Sequence, residues 1–303
     1  MRKPSFESIY AEAPAEQRKL LLEFRARHPY RELQVNTKIW HYIACGQGSR
    51  TLLLLPGAFM KADMWFQTIL AFEKDYRIIT PDDYTLQDTF VMQDICRAYA
   101  MILDTEGVQQ ATVIGISGGA GVAQFFLQEY PHRVEHIVFS HCGVVKPENA
   151  PRLQKQSRLI RLFPYSIIMR ILGAVSRSHR EYPPSSEWLE FRNSYLREMG
   201  QLLTKNIILQ FIKGGAEAHL VFRFNPEIAR DFPGKMLILS SKSDEWTATQ
   251  EKELLDRYPR ARTHIFEEGG HHTFMLFPEI YNRILKEFLD EAFSSWQSSD
   301  NRS

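Results

Sequence analysis

Three sets of residues, far apart in a chain of 303, have the types and order needed to activate a serine hydroxyl. The first is Gly115-Ile116-Ser117-Gly118-Gly119. A serine on a tight strand-to-helix turn is forced into a strained backbone conformation that pushes its hydroxyl into a cleft. Glycines two residues to either side leave room for that turn, and the helix N-terminus favours developing negative charge. The pattern is common by itself, and its context gives it weight: apolar Ala111-Thr112-Val113-Ile114 enters it and helical Ala120-Gly121-Val122-Ala123-Gln124-Phe125-Phe126 leaves it. The plain alternative is a glycine-rich turn with an N-capping serine.

A serine is a poor nucleophile until a neighbouring base takes its proton. The base should be a histidine oriented by a carboxylate, in the chain order Ser, Asp, His. Ser241-Lys242-Ser243-Asp244-Glu245 follows one apolar run, and Glu267-Glu268-Gly269-Gly270-His271-His272 follows the next. Asp244 and His271 are the expected partners, with Glu245 and His272 as second choices. Without that chemistry, Asp244 reads as a helix N-cap and the histidines as a solvated turn pair.

Side chains so widely separated meet only if the elements that carry them run the same way. Strand-like runs fall at 34–44, 51–55, 76–80, 111–116, 134–140, 235–240 and 261–266, and helical ones at 14–28, 64–73, 89–105, 119–130, 249–258 and 279–296. Short, solidly apolar strands belong to a sheet covered on both faces. The alternation predicts an α/β fold with a mostly parallel sheet and helices on both sides. Loops leaving the carboxyl ends of adjacent parallel strands converge on one crevice, where Ser117, Asp244 and His271 can meet. Between 145 and 229 the rhythm breaks into apolar residues at helical spacing, split by Pro183-Pro184. An all-helical insert in such a sheet forms a cap, so the expected core is 1–144 and 230–303 and the expected cap 145–229. The polar tail after Trp296 is expected to fray.

With these residues in place, the sequence resembles the α/β-hydrolase superfamily, in its serine-nucleophile branch with a helical cap, over roughly residues 33–293. The resemblance implies an α/β-hydrolase fold with Ser117 as nucleophile. It matches Asp244 to the acid after the penultimate core strand and Gly269-Gly270-His271 to the Gly-x-Gly-His-like turn after the last. A proline seven residues after the histidine is common in such proteins, and Pro278 stands there.

Acyl transfer also needs donors for the oxyanion. The N–H of Gly118 is one, and the loop Leu55-Pro56-Gly57-Ala58-Phe59 should supply the other from Ala58 or Phe59. Relatives usually show His-Gly where this chain has Pro56-Gly57. A second departure, Pro81-Asp82-Asp83-Tyr84, replaces Asp followed by a Gly-rich segment and is similar to divergent members such as the maspardin-like proteins, in which the fold serves binding.

Other features narrow the choice. With 37 Lys+Arg against 36 Asp+Glu the chain lacks the charge of a nucleic-acid binder. No run approaches the about 18 apolar residues of a membrane span, and Met1-Arg2-Lys3-Pro4-Ser5-Phe6-Glu7 lacks the apolar core of a secretory signal. Cys45, Cys96 and Cys142 form no Cys-x-x-Cys pair, so their spacing supports neither a disulfide framework nor structural zinc and suits reduced thiols in the cytoplasm. No G-x-G-x-x-G or P-loop is present, so no cofactor is expected. Asp82 and Asp83 lack the His or Glu neighbours of a metal site. His141-Cys142, at a strand end beside the expected crevice, has the place of a site lining, and His141 reads first as a satisfied buried histidine. Phe59, Trp65, Trp188, Phe191, Tyr195 and Phe211 read as core more than as pocket, and Arg152, Lys155, Arg158, Arg161, Arg170, Arg177 and Arg180 as a solvated face.

The function these residues predict is cofactor-free hydrolysis of a small, largely apolar ester or related acyl compound, with a small molecule as substrate and neither nucleic acid nor membrane as partner. The same triad also serves carbon–carbon bond hydrolysis, lactone opening or perhydrolysis. A non-catalytic binding or scaffold protein is the rival of a different class.

Overall fold

Leu52 and Leu54 pack into one buried cluster and Leu53 and Leu55 into another. The same alternation recurs at Val113 and Ile114, at Ile137 and Val138, and at Ile238 and Leu239. Successive strand side chains point to opposite faces, so these runs are apolar throughout because helices cover both sides. The computed structural model describes residues 4–87, 90–178, 186–244 and 250–300.

The strands are β1 (Arg31–Val35), β2 (Lys38–Cys45), β3 (Thr51–Leu55), β4 (Arg77–Pro81), β5 (Ala111–Ile116), β6 (Val134–Ser140), β7 (Met236–Ser241) and β8 (Arg262–Phe266). They form one 8-stranded sheet in the order β1-β2-β4-β3-β5-β6-β7-β8. The first two are antiparallel to their neighbours and the others are parallel, with Leu54 paired to Ile114, Ile114 to Val138 and Val138 to Leu237. The chain has an α/β-hydrolase fold. The run at 34–44 is divided: Val35 pairs with Lys38 across a tight turn at Asn36, whose φ is 53°.

Helices α1 (Phe6–Ile9), α2 (Ala15–Arg27) and α3 (Phe66–Phe72) precede α4 (Met92–Thr105) and α5 (Gly118–Glu129). Among the described residues, five more lie between β6 and β7: α6 (Ala150–Leu162), α7 (Tyr165–Ser178), α8 (Leu189–Gly200), α9 (Lys205–Val221) and α10 (Pro226–Asp231). They are followed by α11 (Glu251–Arg257), α12 (Thr273–Leu276) and α13 (Pro278–Asp300), which carries helix beyond Trp296. Pro183-Pro184, Arg180 and Glu245 lie outside the described residues. No helix among those described is long and apolar enough to cross a membrane.

Among the inserted helices α6 and α9 pack on each other, and α8 is held to the rest by charge. Arg25 of α2 bridges Asp63 (2.7 Å) and Glu198 (2.9 Å), while the hydroxyls of Tyr195 and Tyr10 donate to Asp63 and Glu198, each at 2.6 Å. Asp63 and Tyr195 are buried, which makes these charge-assisted bonds stronger than surface pairs.

Candidate active site

Ser117 occupies the turn between β5 and α5 with φ 52° and ψ −117°. Such a conformation costs a non-glycine residue about 1–3 kcal/mol and must be held by its surroundings. Its N–H donates to the Ser140 carbonyl at the end of β6 (2.9 Å), and its carbonyl starts α5 by accepting from Gly121 (3.1 Å). The flanking glycines are required by close approach. A Cβ on Gly115 would stand 2.6 Å from the Gly119 carbonyl oxygen, and one on Gly119 would stand 2.3 Å from that of Leu55. Ser117 itself is only half-buried, and so is His271.

Asp244 and His271 come together although 27 residues separate them: Asp244 Oδ2 lies 2.9 Å from His271 Nδ1. β7 and β8 run parallel side by side, so the loops leaving their carboxyl ends are neighbours. Asp244 is fully buried and can only accept, so Nδ1 carries the proton. Two glycines shape the turn beneath His271, with φ 94° at Gly269 and 49° at Gly270. Ser243 Oγ fixes this turn by accepting from Gly270 N–H at 3.1 Å.

His272 faces elsewhere. Its Nδ1 lies 3.0 Å from Nη2 of Arg192, a buried α8 residue whose Nη1 donates to Asn193 Oδ1 (3.0 Å). The rings of His271 and His272 are 5.6 Å apart, so Arg192 sits one side chain away from the Asp244–His271 pair.

The proposed oxyanion donors separate into two groups. Gly118 and Ala58 face each other, a Cβ on Gly118 falling 3.1 Å from Ala58 N. Phe59 does not join them: its N–H is directed to Asp83 Oδ2 (2.8 Å) and Thr85 Oγ1 (3.0 Å). This corrects the expectation for Phe59, whose amide is committed to the carboxylate of Asp83 and the hydroxyl of Thr85 after β4. Asp83 also accepts from the Thr85 N–H (3.2 Å) and hydroxyl, and Asp82 Oδ1 accepts from Ala62 N–H (2.8 Å). These two carboxylates therefore hold the segment after Gly57. Burial raises both, Asp82 to about 6 and Asp83 to about 7.

Sequence reasoning did not single out Thr273, and it read His141 only as a buried histidine or a lining residue. His141 is buried, as expected, and it links strand to turn. Tyr281 hydroxyl donates to Ser140 Oγ (3.1 Å), Ser140 Oγ meets His141 Nδ1 (2.8 Å), His141 Nε2 meets Thr273 Oγ1 (2.9 Å), and that hydroxyl donates to the Gly270 carbonyl (3.2 Å). One neutral tautomer satisfies the whole chain, with Nε2 protonated. Burial, with His271 nearby, lowers His141 to about 3, so it stays uncharged. The only sequence signal was a histidine at a strand end. Trp65, Phe191 and Tyr195 are fully buried in the core cluster, whereas Phe59 packs edge-on against Phe211 of α9 at 4.7 Å. Arg152, Lys155, Arg158, Arg161 and Arg170 are exposed.

Residues 50–278 match the model of the alpha/beta hydrolase fold family. Among curated proteins, 2-hydroxymuconate semialdehyde hydrolase of Pseudomonas putida is 25% identical over 202 residues, which are 63% of this chain and 66% of that protein. The 2-hydroxy-6-oxononadienedioate/2-hydroxy-6-oxononatrienedioate hydrolase of Paraburkholderia phymatum is 24% identical over 264 residues, covering 83% of this chain and 91% of that one. Among solved structures, a hydrolase from Pseudomonas aeruginosa superposes with a TM-score of 0.68 at 16% identity, over 86% of this chain and 98% of the other. The enol-lactonase of Burkholderia xenovorans LB400 gives 0.63 at 15% identity, over 86% and 100%.

Proposed function

The chain belongs to the α/β-hydrolase fold family, and from that premise we propose a serine-nucleophile mechanism on the residues just described. The observation that carries it is the buried Asp244 bonded to His271 at 2.9 Å, on loops beside the strained Ser117 turn. His271 Nε2 takes the Ser117 hydroxyl proton as Oγ bonds to the substrate carbonyl carbon. The N–H groups of Gly118 and Ala58 stabilise the oxyanion that forms. His271 then protonates the leaving group as its bond to the carbonyl carbon breaks. A water molecule, deprotonated by the same imidazole, releases the acid and restores Ser117. Asp244 keeps the imidazole in the required tautomer and stabilises its cation. Residues 145–229 serve as a cap over this site, and the free thiols suit a cytoplasmic setting.

A small, largely apolar ester is the first substrate class. A second reading, hydrolysis of a carbon–carbon bond next to an oxo group in a carboxylate-bearing compound, is favoured by Arg192. The buried Arg192 guanidinium, held by Asn193 and His272, puts a positive charge beside the His271–His272 turn, which suits an anionic substrate group. The curated relatives are named for a semialdehyde and for oxo-dioates, names that contain no ester.

The test is a turnover panel of short p-nitrophenyl esters and oxo-dienoic acids, run on wild type, Ser117→Ala and Arg192→Met. Loss of all turnover in Ser117→Ala supports the mechanism, and a rise in KM for the acids alone in Arg192→Met selects the second reading. Equal turnover by wild type and Ser117→Ala refutes both, and no turnover by any form favours a binding protein.

A further inference from the structure

At the end of the sheet away from Ser117, three elements bring a histidine, a cysteine and a glutamate together. His28 caps α2, Cys45 ends β2 beside Ile78 at the start of β4, and Glu73 caps α3. One ligand atom from each lies within 4.8 Å of the others. We propose that His28, Cys45 and Glu73 bind a zinc-class divalent ion that fastens α2 to the sheet.

The arrangement has the parts such a site needs. His28 Nδ1 lies 2.9 Å from the Phe24 carbonyl, which can only accept, so Nδ1 carries a proton and Nε2 is the ligating nitrogen. Metal-bound histidines are oriented in this way by a carbonyl or carboxylate behind the ring. The ring also stacks on Phe24 at 4.2 Å, which fixes its plane. Nε2 points at Glu73 Oε2, 2.7 Å away. The Cys45 loop is pressed against the same turn: a Cβ on Gly46 would stand 2.1 Å from the Tyr76 carbonyl, and Gln47 N–H donates to the Glu73 carbonyl at 3.2 Å.

A nitrogen, a thiolate and a carboxylate suit zinc. Bonds of about 2.0–2.3 Å in a tetrahedron put donors about 3.3–3.7 Å apart, so side-chain rotations suffice to close the site, and water fills the fourth position. On binding, the thiol proton of Cys45 and the proton shared by His28 and Glu73 pass to solvent as the three metal–ligand bonds form. The ion ties α2 to β2 and α3, and α2 carries Arg25, which grips Asp63 and Glu198. Because Cys45 pairs with Ile78, opposite the carboxyl ends that hold Ser117, the role is structural.

The full-length protein, reduced and stripped of metal with a chelator, is titrated with Co²⁺. The expected result is a thiolate-to-cobalt charge-transfer band that saturates at one equivalent, vanishes in Cys45→Ser and persists in Cys96→Ala. No band in wild type, or an undiminished band in Cys45→Ser, overturns the proposal. Should Cys45→Ser misfold, Glu73→Gln gives the second reading, with an expected affinity loss of about tenfold or more. Independently, one equivalent of Zn²⁺ should slow alkylation of wild-type Cys45 by about tenfold; an unchanged alkylation rate also overturns it.

Discussion

Replacing Asp83 by asparagine should remove a fall in stability that the wild type shows as pH rises. The Asp83 carboxyl is buried and accepts from Phe59 and Thr85, contacts that only partly offset its desolvation, so it is raised from the ordinary carboxylate range to about 7. A carboxyl of higher pKa in the folded state binds its proton more tightly there than when unfolded. The stability this gives is complete below about pH 4 and is lost as pH climbs through about 7. Integrating the bound protons from about pH 5 to about pH 8 gives a loss of about 2–3 kcal/mol from this group alone. The asparagine side chain would keep an acceptor for Phe59 and Thr85 and lose the charge. Urea unfolding of wild type and Asp83→Asn across that range should show the difference growing by this amount in favour of the variant. Asp82, raised to about 6, titrates in both proteins and largely cancels. Parallel curves would refute the reasoning. Asp83→Ala should be weaker at every pH, because the buried Thr85 N–H loses its acceptor at about 1–3 kcal/mol while the Phe59 N–H keeps only Thr85 Oγ1.

Three further outcomes follow from the geometry. Asp244→Asn should fold normally and lower kcat by about 10⁴, since the amide no longer holds the productive tautomer of His271; steady-state kinetics checks this. Gly119→Ala should lower stability by about 3 kcal/mol in urea unfolding, because its Cβ would meet the Leu55 and Pro56 carbonyl oxygens at 2.3 and 2.4 Å. Tyr195→Phe removes a 2.6 Å hydrogen bond to buried Asp63 and should cost about 1.5–3 kcal/mol in thermal unfolding, loosening α8 first in hydrogen exchange.

What the sequence made legible was local or ordered along the chain. The turn at Ser117 was readable because its glycines, entering strand and leaving helix are contiguous, and β5 and β6 fall where the apolar runs stand. Asp244 and His271 were readable because parallel strands impose an order on their loops. The β1–β2 hairpin was missed because its turn at Asn36 carries no glycine. Phe59 was misassigned because the direction of its amide depends on the torsions of the preceding peptide and on acceptors at Asp83 and Thr85, far along the chain. Asp82 and Asp83 were set aside as a metal pair for want of His or Glu neighbours, and only the folded loop shows them accepting main-chain N–H groups. His28, Cys45 and Glu73 come from three elements, so no spacing could have linked them. The clasp of Tyr10, Arg25, Asp63 and Glu198 was hidden for the same reason.

The most direct test of the central claim is covalent labelling with a fluorophosphonate probe, located by peptide mass spectrometry, on wild type and His271→Gln. The account predicts modification at Ser117 in the wild type and a loss of labelling rate of several orders of magnitude when the imidazole is removed. An unlabelled Ser117, or one that reacts equally fast without His271, would contradict it.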